Sequence, residues 1–190
     1  RVVFVLAVEN AVDIGRVLQE IAQGFGHDGM LSGSFHLLVR HNVGISYGGF
    51  ADAFAMFPEH VNYILNEDDA CFTEDHFDEQ LVDWLHVAPD IGCVCGHVQR
   101  NPPAHPGCFS GIYRGDVLRK IAAARGRLPY AAERFDPGMG NAGYGPHEQG
   151  GQIAMGVALA EAGYRLEDWT STHAVAFWNQ DKIRMYGNRD

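Results

Sequence analysis

Three acids stand in a row at Glu67-Asp68-Asp69, directly behind the apolar run Val61-Asn62-Tyr63-Ile64-Leu65-Asn66. Adjacent carboxylates repel one another, so at the end of a buried strand they imply either a solvated turn or a positively charged partner. Joined by a histidine from another strand, they would form a hard-oxygen site with one borderline nitrogen, a donor set suited to Mg2+ or Mn2+. Two carboxylates alone hold Mg2+ weakly, and a bound diphosphate would supply the missing oxygens. The plainer alternative is a solvated acidic turn that caps the next helix.

Two other short polar stretches follow apolar runs in the same way. Glu9-Asn10 comes after Val2–Val8, and Asn42-Val43-Gly44 comes after Phe35–Arg40. Arg40 is a candidate phosphate contact or an ordinary strand-end charge. A fourth stretch, residues 134–151, carries six glycines in 18 residues, which implies either a long loop or backbone folded closely around a ligand.

The elements that must hold these residues can be read from periodicity. Residues 2–8 are a continuous β-branched run, the pattern of a strand covered on both faces. Ile14, Val17, Leu18, Ile21, Ala22 and Phe25 then recur at helical spacing, with Gly24 and Gly26 closing the helix. Residues 35–40 and 61–66 are read as strands, separated by a short helix marked by Phe50, Phe54 and Phe57 that stops at Pro58. Thr73, with Glu74 and Asp75, opens a helix whose face is Phe77, Leu81, Val82 and Leu85, and residues 91–98 return to strand. This β-α alternation predicts an α/β fold with a mostly parallel sheet, helices on both faces, and ligands beyond the carboxyl ends of the strands. In the second half, 99–107 reads as loop and 108–114 as strand. Asp116 caps a helix with Leu118, Ile121 and Ala122, and a helix with Ile153, Val157 and Ala160 stops at Gly163. The last strands are read in Tyr164–Trp169 and His173–Trp178, with Trp84 and Trp169 as packing residues and Trp178 or Tyr144 available to stack on a sugar or base.

A chain of 190 residues, 46% of them hydrophobic, is long enough for one domain with its own core and no staples. Its 14 basic against 24 acidic residues give a net charge of −10, which argues against nonspecific binding to nucleic acid or anionic membranes. No apolar run approaches the length of a transmembrane helix. The chain opens without methionine and without a signal-peptide pattern, so it is read as starting at or near the first strand, in the cytoplasm. Cys71, Cys93, Cys95 and Cys108 contain no CxxC pair. Cys93 and Cys95 would share one face of a strand about 7 Å apart, too far for an easy disulfide, and are read as small buried thiols. Histidines such as His97 and His105 follow no ligand spacing and are not nominated.

The ordered set resembles the nucleotide-sugar glycosyltransferases of the GT-A fold, especially the large family-2 type, across residues 1–178. It comprises an apolar first strand ending in a small polar pair, Asn42/Gly44/Gly48, Tyr63-Ile64-Leu65-Asn66-Glu67-Asp68-Asp69 and Pro89-Asp90-Ile91-Gly92-Cys93-Val94-Cys95-Gly96. The segments 108–121, 143–166 and 171–178 continue it. The resemblance implies a single GT-A domain, with residues 1–98 binding the nucleotide sugar and 99–190 carrying acceptor and catalytic functions. It implies a DxD-type motif in which Glu67, Asp69 and the late His173 hold Mn2+ or Mg2+. Glu9, Asn10, Arg40, Asn42, Gly44, Asp68, Ser110 and Gly111 become substrate-side residues, and Glu148 the catalytic base. It departs from the family in two places. The eight or nine residues between Phe25 and Phe35 leave no room for the strand whose aspartate reads the base, and the expected Glu-Asp acid pair reads His147-Glu148-Gln149.

The implied reaction moves a sugar from a nucleotide-diphosphate donor to a hydroxyl of a glycan, lipid, protein or small molecule, with inversion. A metal-dependent nucleotidyltransferase is the competing enzyme class, but the first turn, Glu9–Asp13, has neither glycine nor a basic residue. A non-catalytic sugar-nucleotide or glycan-binding module of the same fold is the third reading. No P-loop is present, which argues against a kinase or ATPase.

Overall fold

The computed structural model describes residues 2–8, 14–26, 35–41, 45–66, 71–72, 76–100, 102–106, 111–130, 151–169 and 177–178. β1 (Val2–Val8), α1 (Ile14–Gly26) and β2 (Phe35–His41) form a β-α-β unit, its strands parallel and paired from Val2↔Phe35 to Val8↔His41. α2 (Ile45–Met56), β3 (Asn62–Leu65), β4 (Cys71–Phe72), α3 (Phe77–Leu85) and β5 (Ile91–Cys95) follow. A ribbon of β6 (Val98–Gln99) and β7 (His105–Pro106) leads to β8 (Gly111–Arg114), α4 (Gly115–Arg125), α5 (Gly151–Glu161), β9 (Arg165–Asp168) and β10 (Phe177–Trp178). None of the described helices is long and apolar enough to cross a membrane.

The fold is α/β as expected, but the expectation of a mostly parallel sheet is corrected. The largest sheet has the order β3-β8-β5-β9, with β8 antiparallel to both neighbours and β5 parallel to β9. The cause lies in the connections. A parallel neighbour needs a crossover, usually a helix, and among the described residues between β5 and β8 there is none. The chain returns through the β6–β7 ribbon instead and enters the sheet in the opposite direction. β3 and β5 run parallel to each other on either side of it. β4 pairs antiparallel with β10 in a separate two-stranded sheet.

Several boundaries differ from the sequence reading for physical reasons. α2 starts at Ile45, well before Phe50, and so takes in Gly48 and Gly49. Glycine weakens a helix interior, but a Cβ at Gly49 would meet Val5 Cγ1 at 3.0 Å, so the residue lets α2 lie against β1. Residues 91–98 split into β5 and β6 at Gly96-His97, and part of the supposed loop 99–107 pairs as β7. Asp116 is not the cap of α4. Arg114 occupies that position with extended backbone, and Asp116 sits in the first turn, 2.7 Å from the Arg114 guanidinium. Gly163 closes α5 as read, with φ at +87°.

The four-stranded sheet separates two clusters. Tyr47, Phe54, Leu65, Cys93, Cys95 and Tyr113 pack with α4 and α5 on one face. Leu81 and Leu85 of α3 pack with Ile91, Val94, Ile112 and Trp169 on the other. Ile91 and Val94 are three residues apart and would face opposite ways in a regular strand. A bulge between Ile91 and Cys93 puts both on the α3 side. Burial pushes the Cys93 thiol and the Tyr113 hydroxyl well above their ordinary values, and Cys93 and Cys95 are free, buried thiols.

No gap separates β8 from α4. The Gly115 N–H donates to the Val61 carbonyl at 2.6 Å, and a Cβ at Gly115 would collide with the His60 carbonyl oxygen. Gly115→Ala is therefore expected to lower stability by about 2–3 kcal/mol through backbone displacement. Gly163→Ala, where the added Cβ meets open space, should cost only about 1–2 kcal/mol for its left-handed φ. Leu85→Ala, at 0% exposure under the sheet, should cost about 2–5 kcal/mol. Urea titrations of the three variants test this order, and a Gly115 variant as stable as the Gly163 variant would refute the contact.

Candidate functional site

The register of the four-stranded sheet brings the ends of β3, β5 and β9 and the start of β8 to one edge. Leu65 at the end of β3 pairs with Gly111 at the start of β8, Gly111 pairs with Cys95 at the end of β5, and Cys95 pairs with Asp168 at the end of β9. From this edge the chain leaves β3 through exposed Asn66 towards Glu67, and leaves β5 through Gly96-His97. In the β1–β2 pair, Val8 and His41 end side by side, immediately before Glu9 and Asn42.

Of the residues nominated from sequence, Glu9, Asn10, Asn42, Gly44, Glu67, Asp68, Asp69, Ser110, Glu148 and His173 lie outside the described residues. Arg40 and Gly111 lie within them. Arg40 sits one residue before the end of β2, and its Nε donates to Asp52 Oδ2 on α2 at 2.5 Å. The guanidinium side chain is only 9% exposed, so this hydrogen bond ties α2 to the β1–β2 pair. Gly111 is buried, and a Cβ there would come within 3.0 Å of the Val94 carbonyl oxygen and 3.1 Å of Cys95 Cβ. A requirement for close strand approach thus accounts for glycine at this position.

The same edge holds a pair that sequence reading passed over. Asp168, with a side chain 9% exposed, accepts a hydrogen bond from the Val98 N–H at 3.2 Å through Oδ2, which also lies 3.7 Å from His97 Nδ1. The Cys95 thiol donates to the His97 carbonyl at 3.3 Å, and the Trp169 N–H donates to the Cys95 carbonyl at 3.1 Å. The turn Gly96-His97 is therefore fixed from both flanking strands. Ligand spacing could not reveal this pair, because its partners are about seventy positions apart and meet only through β5–β9 pairing. The available signal was the acid that ends the strand in Arg165-Leu166-Glu167-Asp168, the same strand-end placement that drew attention to Glu67–Asp69.

The opposite edge of the sheet has a different character. Arg114 pairs with Asp116, and Arg165 pairs with Asp90 at 2.7 Å and with Glu167, all with at least one partly exposed member. Hydrogen bonds from Arg114 hold the Asp116 carboxyl below its usual 3.8. Among the described residues, no group of three or more His, Cys, Asp or Glu side chains is arranged to hold a metal ion.

The two arginine pairs should differ in worth. Asp52→Ala removes the carboxylate that faces the nearly buried Arg40 and is expected to cost about 2–3 kcal/mol, whereas Asp116→Asn should cost less than about 1 kcal/mol because Asp116 is half exposed. Because the folded state depresses the Asp116 carboxyl, its contribution is complete above about pH 4 and disappears as pH falls through the folded value. Acid titrations of stability should show Asp116→Asn losing only that small step. Comparison with protein-family models, curated proteins and solved structures returned no match to this chain.

Proposed function

We propose that this protein is a metal-dependent glycosyltransferase of GT-A type, moving a sugar from a nucleotide-diphosphate donor to a hydroxyl acceptor. The observation that carries the reading is the register Leu65–Gly111–Cys95–Asp168, which brings four strand ends to one edge. The acid triplet begins two residues beyond Leu65, so it leaves the sheet where ligands of such folds bind. The ends of β1 and β2, in step at Val8 and His41, lead into Glu9-Asn10 and Asn42-Val43-Gly44 in the same manner.

The donor set fits the implied ion. Carboxylates from Glu67 and Asp69 with the imidazole of His173 give hard oxygens and one borderline nitrogen, suited to Mn2+ or Mg2+ whose remaining positions are filled by diphosphate. When bound, the ion neutralises charge on the leaving diphosphate. Asp68, Glu9, Asn10, Asn42 and Gly44 are assigned to the donor, and Ser110 to the acceptor side. Glu148 takes the acceptor proton as the hydroxyl oxygen attacks the anomeric carbon from the face opposite the diphosphate, which gives inversion.

Thermal-shift measurements against a panel of nucleotide sugars, each with and without Mn2+, test the reading. At a donor concentration of about 100 Kd, stabilisation of about 2.7 kcal/mol should raise Tm by roughly 5–10 °C, only when metal and donor are both present. The shift should vanish in Asp69→Ala. Glu148→Gln should keep the shift while turnover falls about 100- to 10,000-fold. A panel in which no nucleotide sugar raises Tm under any metal condition would end the glycosyltransferase reading.

A further inference from the structure

Charge is segregated along this chain. Residues 41–99 hold eleven Asp and Glu and no Lys or Arg, whereas residues 100–134 hold seven Lys and Arg and two acids. The described parts of this division fall on two helices. α3 packs Leu81 and Leu85 against one face of the four-stranded sheet, and α4 packs Val117, Leu118 and Ile121 against the other. Each helix turns its charges outward, with Asp78, Glu79 and Asp83 exposed on α3 and Arg119, Lys120 and Arg125 exposed on α4. The sheet lies between the two helices, so they cannot neutralise each other within one molecule.

Local contacts fix the α4 cations without cancelling them. Arg119 Nη1 donates to the carbonyls of Pro58 and His60 at 2.8 and 2.9 Å, and Lys120 Nζ donates to the Ala162 carbonyl at 2.7 Å. These acceptors are neutral, whereas Arg125 is matched by Glu161. On α3, Glu79 has His76 at 3.9 Å, and among the described residues no lysine or arginine forms an ion pair with Asp78, Glu79 or Asp83. Those three acids and Val82 line an open cleft of about 330 Å³. Ala123 and Ala124 are exposed one turn beyond Arg119 and Lys120, and their small side chains let a second helix come close to the cations.

We propose that the basic face of α4 docks the acidic face of α3 on a second copy of this chain. Arg119 and Lys120 then meet the carboxylates of Asp78 and Asp83, and Val82 meets Ala123 and Ala124 between them. Because α3 and α4 occupy opposite faces, a pair of molecules still presents one of each at its ends. The assembly therefore lengthens with concentration and does not stop at two copies. Two molecules of charge −10 also repel each other at long range. At about 0.01 M salt the screening length is about 30 Å and this repulsion prevails. At about 0.1 M it is about 10 Å and the touching faces prevail, and at about 1 M the contact itself is screened. Association peaks at intermediate salt.

Sedimentation velocity of the full chain tests this. The weight-average coefficient should rise with protein concentration at about 0.1 M salt and stay flat at about 0.01 M and about 1 M. Lys120→Glu alone, and Asp78→Lys with Asp83→Lys together, should each weaken association at least about tenfold. An equal mixture of the two charge-reversed proteins should recover it, which a folding defect could not imitate. Should Lys120→Glu fail to fold, Ala124→Glu places the same charge on the exposed face without touching the Ala162 contact. A wild type that is monomeric at every salt concentration overturns the proposal. So does association that both variants leave unchanged, or a mixture that stays monomeric. A monomeric wild type that co-sediments with phosphatidylserine vesicles, and is released by Lys120→Glu, would give the face to a membrane and overturn it equally.

Discussion

The insertion of β8 between β3 and β5 is the constraint on which the described site depends. An antiparallel strand starts where its parallel neighbours end, so Gly111 meets Leu65 on one side and Cys95 on the other. One short strand thereby aligns two carboxyl ends, and the β5–β9 pairing adds a third at Asp168. Glycines stand at both limits of this strand. Gly111 permits close approach to Val94 and Cys95, and Gly115 lets α4 begin at once under the carbonyls of His60 and Val61. A larger residue at either limit would push β8 away from its neighbours and disturb the edge.

Close backbone contacts elsewhere serve the same end. Gly151 and Gly156 give α5 no side chain towards Tyr47 and towards the Ala104–His105 backbone, and Gly49 brings α2 against Val5. α2 is then shared: Tyr47 and Phe54 enter the core beneath the four-stranded sheet while Asp52 holds Arg40 of β2. The helix has only 12 residues and carries Gly48 and Gly49 in its interior, so it would be weak in isolation and its stability comes from these contacts on both sides. The cost in helix propensity is accepted in exchange for proximity.

Much of this order was legible in the sequence, and its limits have physical causes. Strands β1, β2, β3, β5 and β9 and helices α1, α3, α4 and α5 were legible as elements from apolar patterning. In α5, however, the buried residues are Ala154, Met155, Ala158 and Leu159 rather than Ile153, Val157 and Ala160, because the helix is apolar nearly all round and its pattern does not single out a face. The direction of β8 was not legible, since strand periodicity is the same for parallel and antiparallel pairing. Nor was the bulge at Gly92, which puts Ile91 and Val94 on one face. The Asp168–His97 pair was missed because local spacing describes neighbours along a chain, whereas these residues are neighbours only across a sheet. Arg40 and Gly111 were singled out as substrate-side candidates, and the contacts they make within the fold give each a packing role as well.

Electrostatics ties the edge together. The chain already carries a net charge of −10, and the edge holds a buried carboxylate at the end of β9, with β5 and β8 between it and the strand end that leads into three more acids. Such a concentration opposes folding unless each charge is solvated, hydrogen-bonded or matched by a cation. Asp168 has the Val98 N–H and faces His97, so its burial is accounted for within the protein. Glu67, Asp68 and Asp69 follow exposed Asn66 in the chain. A divalent cation shared with a diphosphate would turn that mutual repulsion into binding energy. The protein itself thus satisfies Asp168, whereas under the proposed function the charge of the triplet is met by a cation brought from outside.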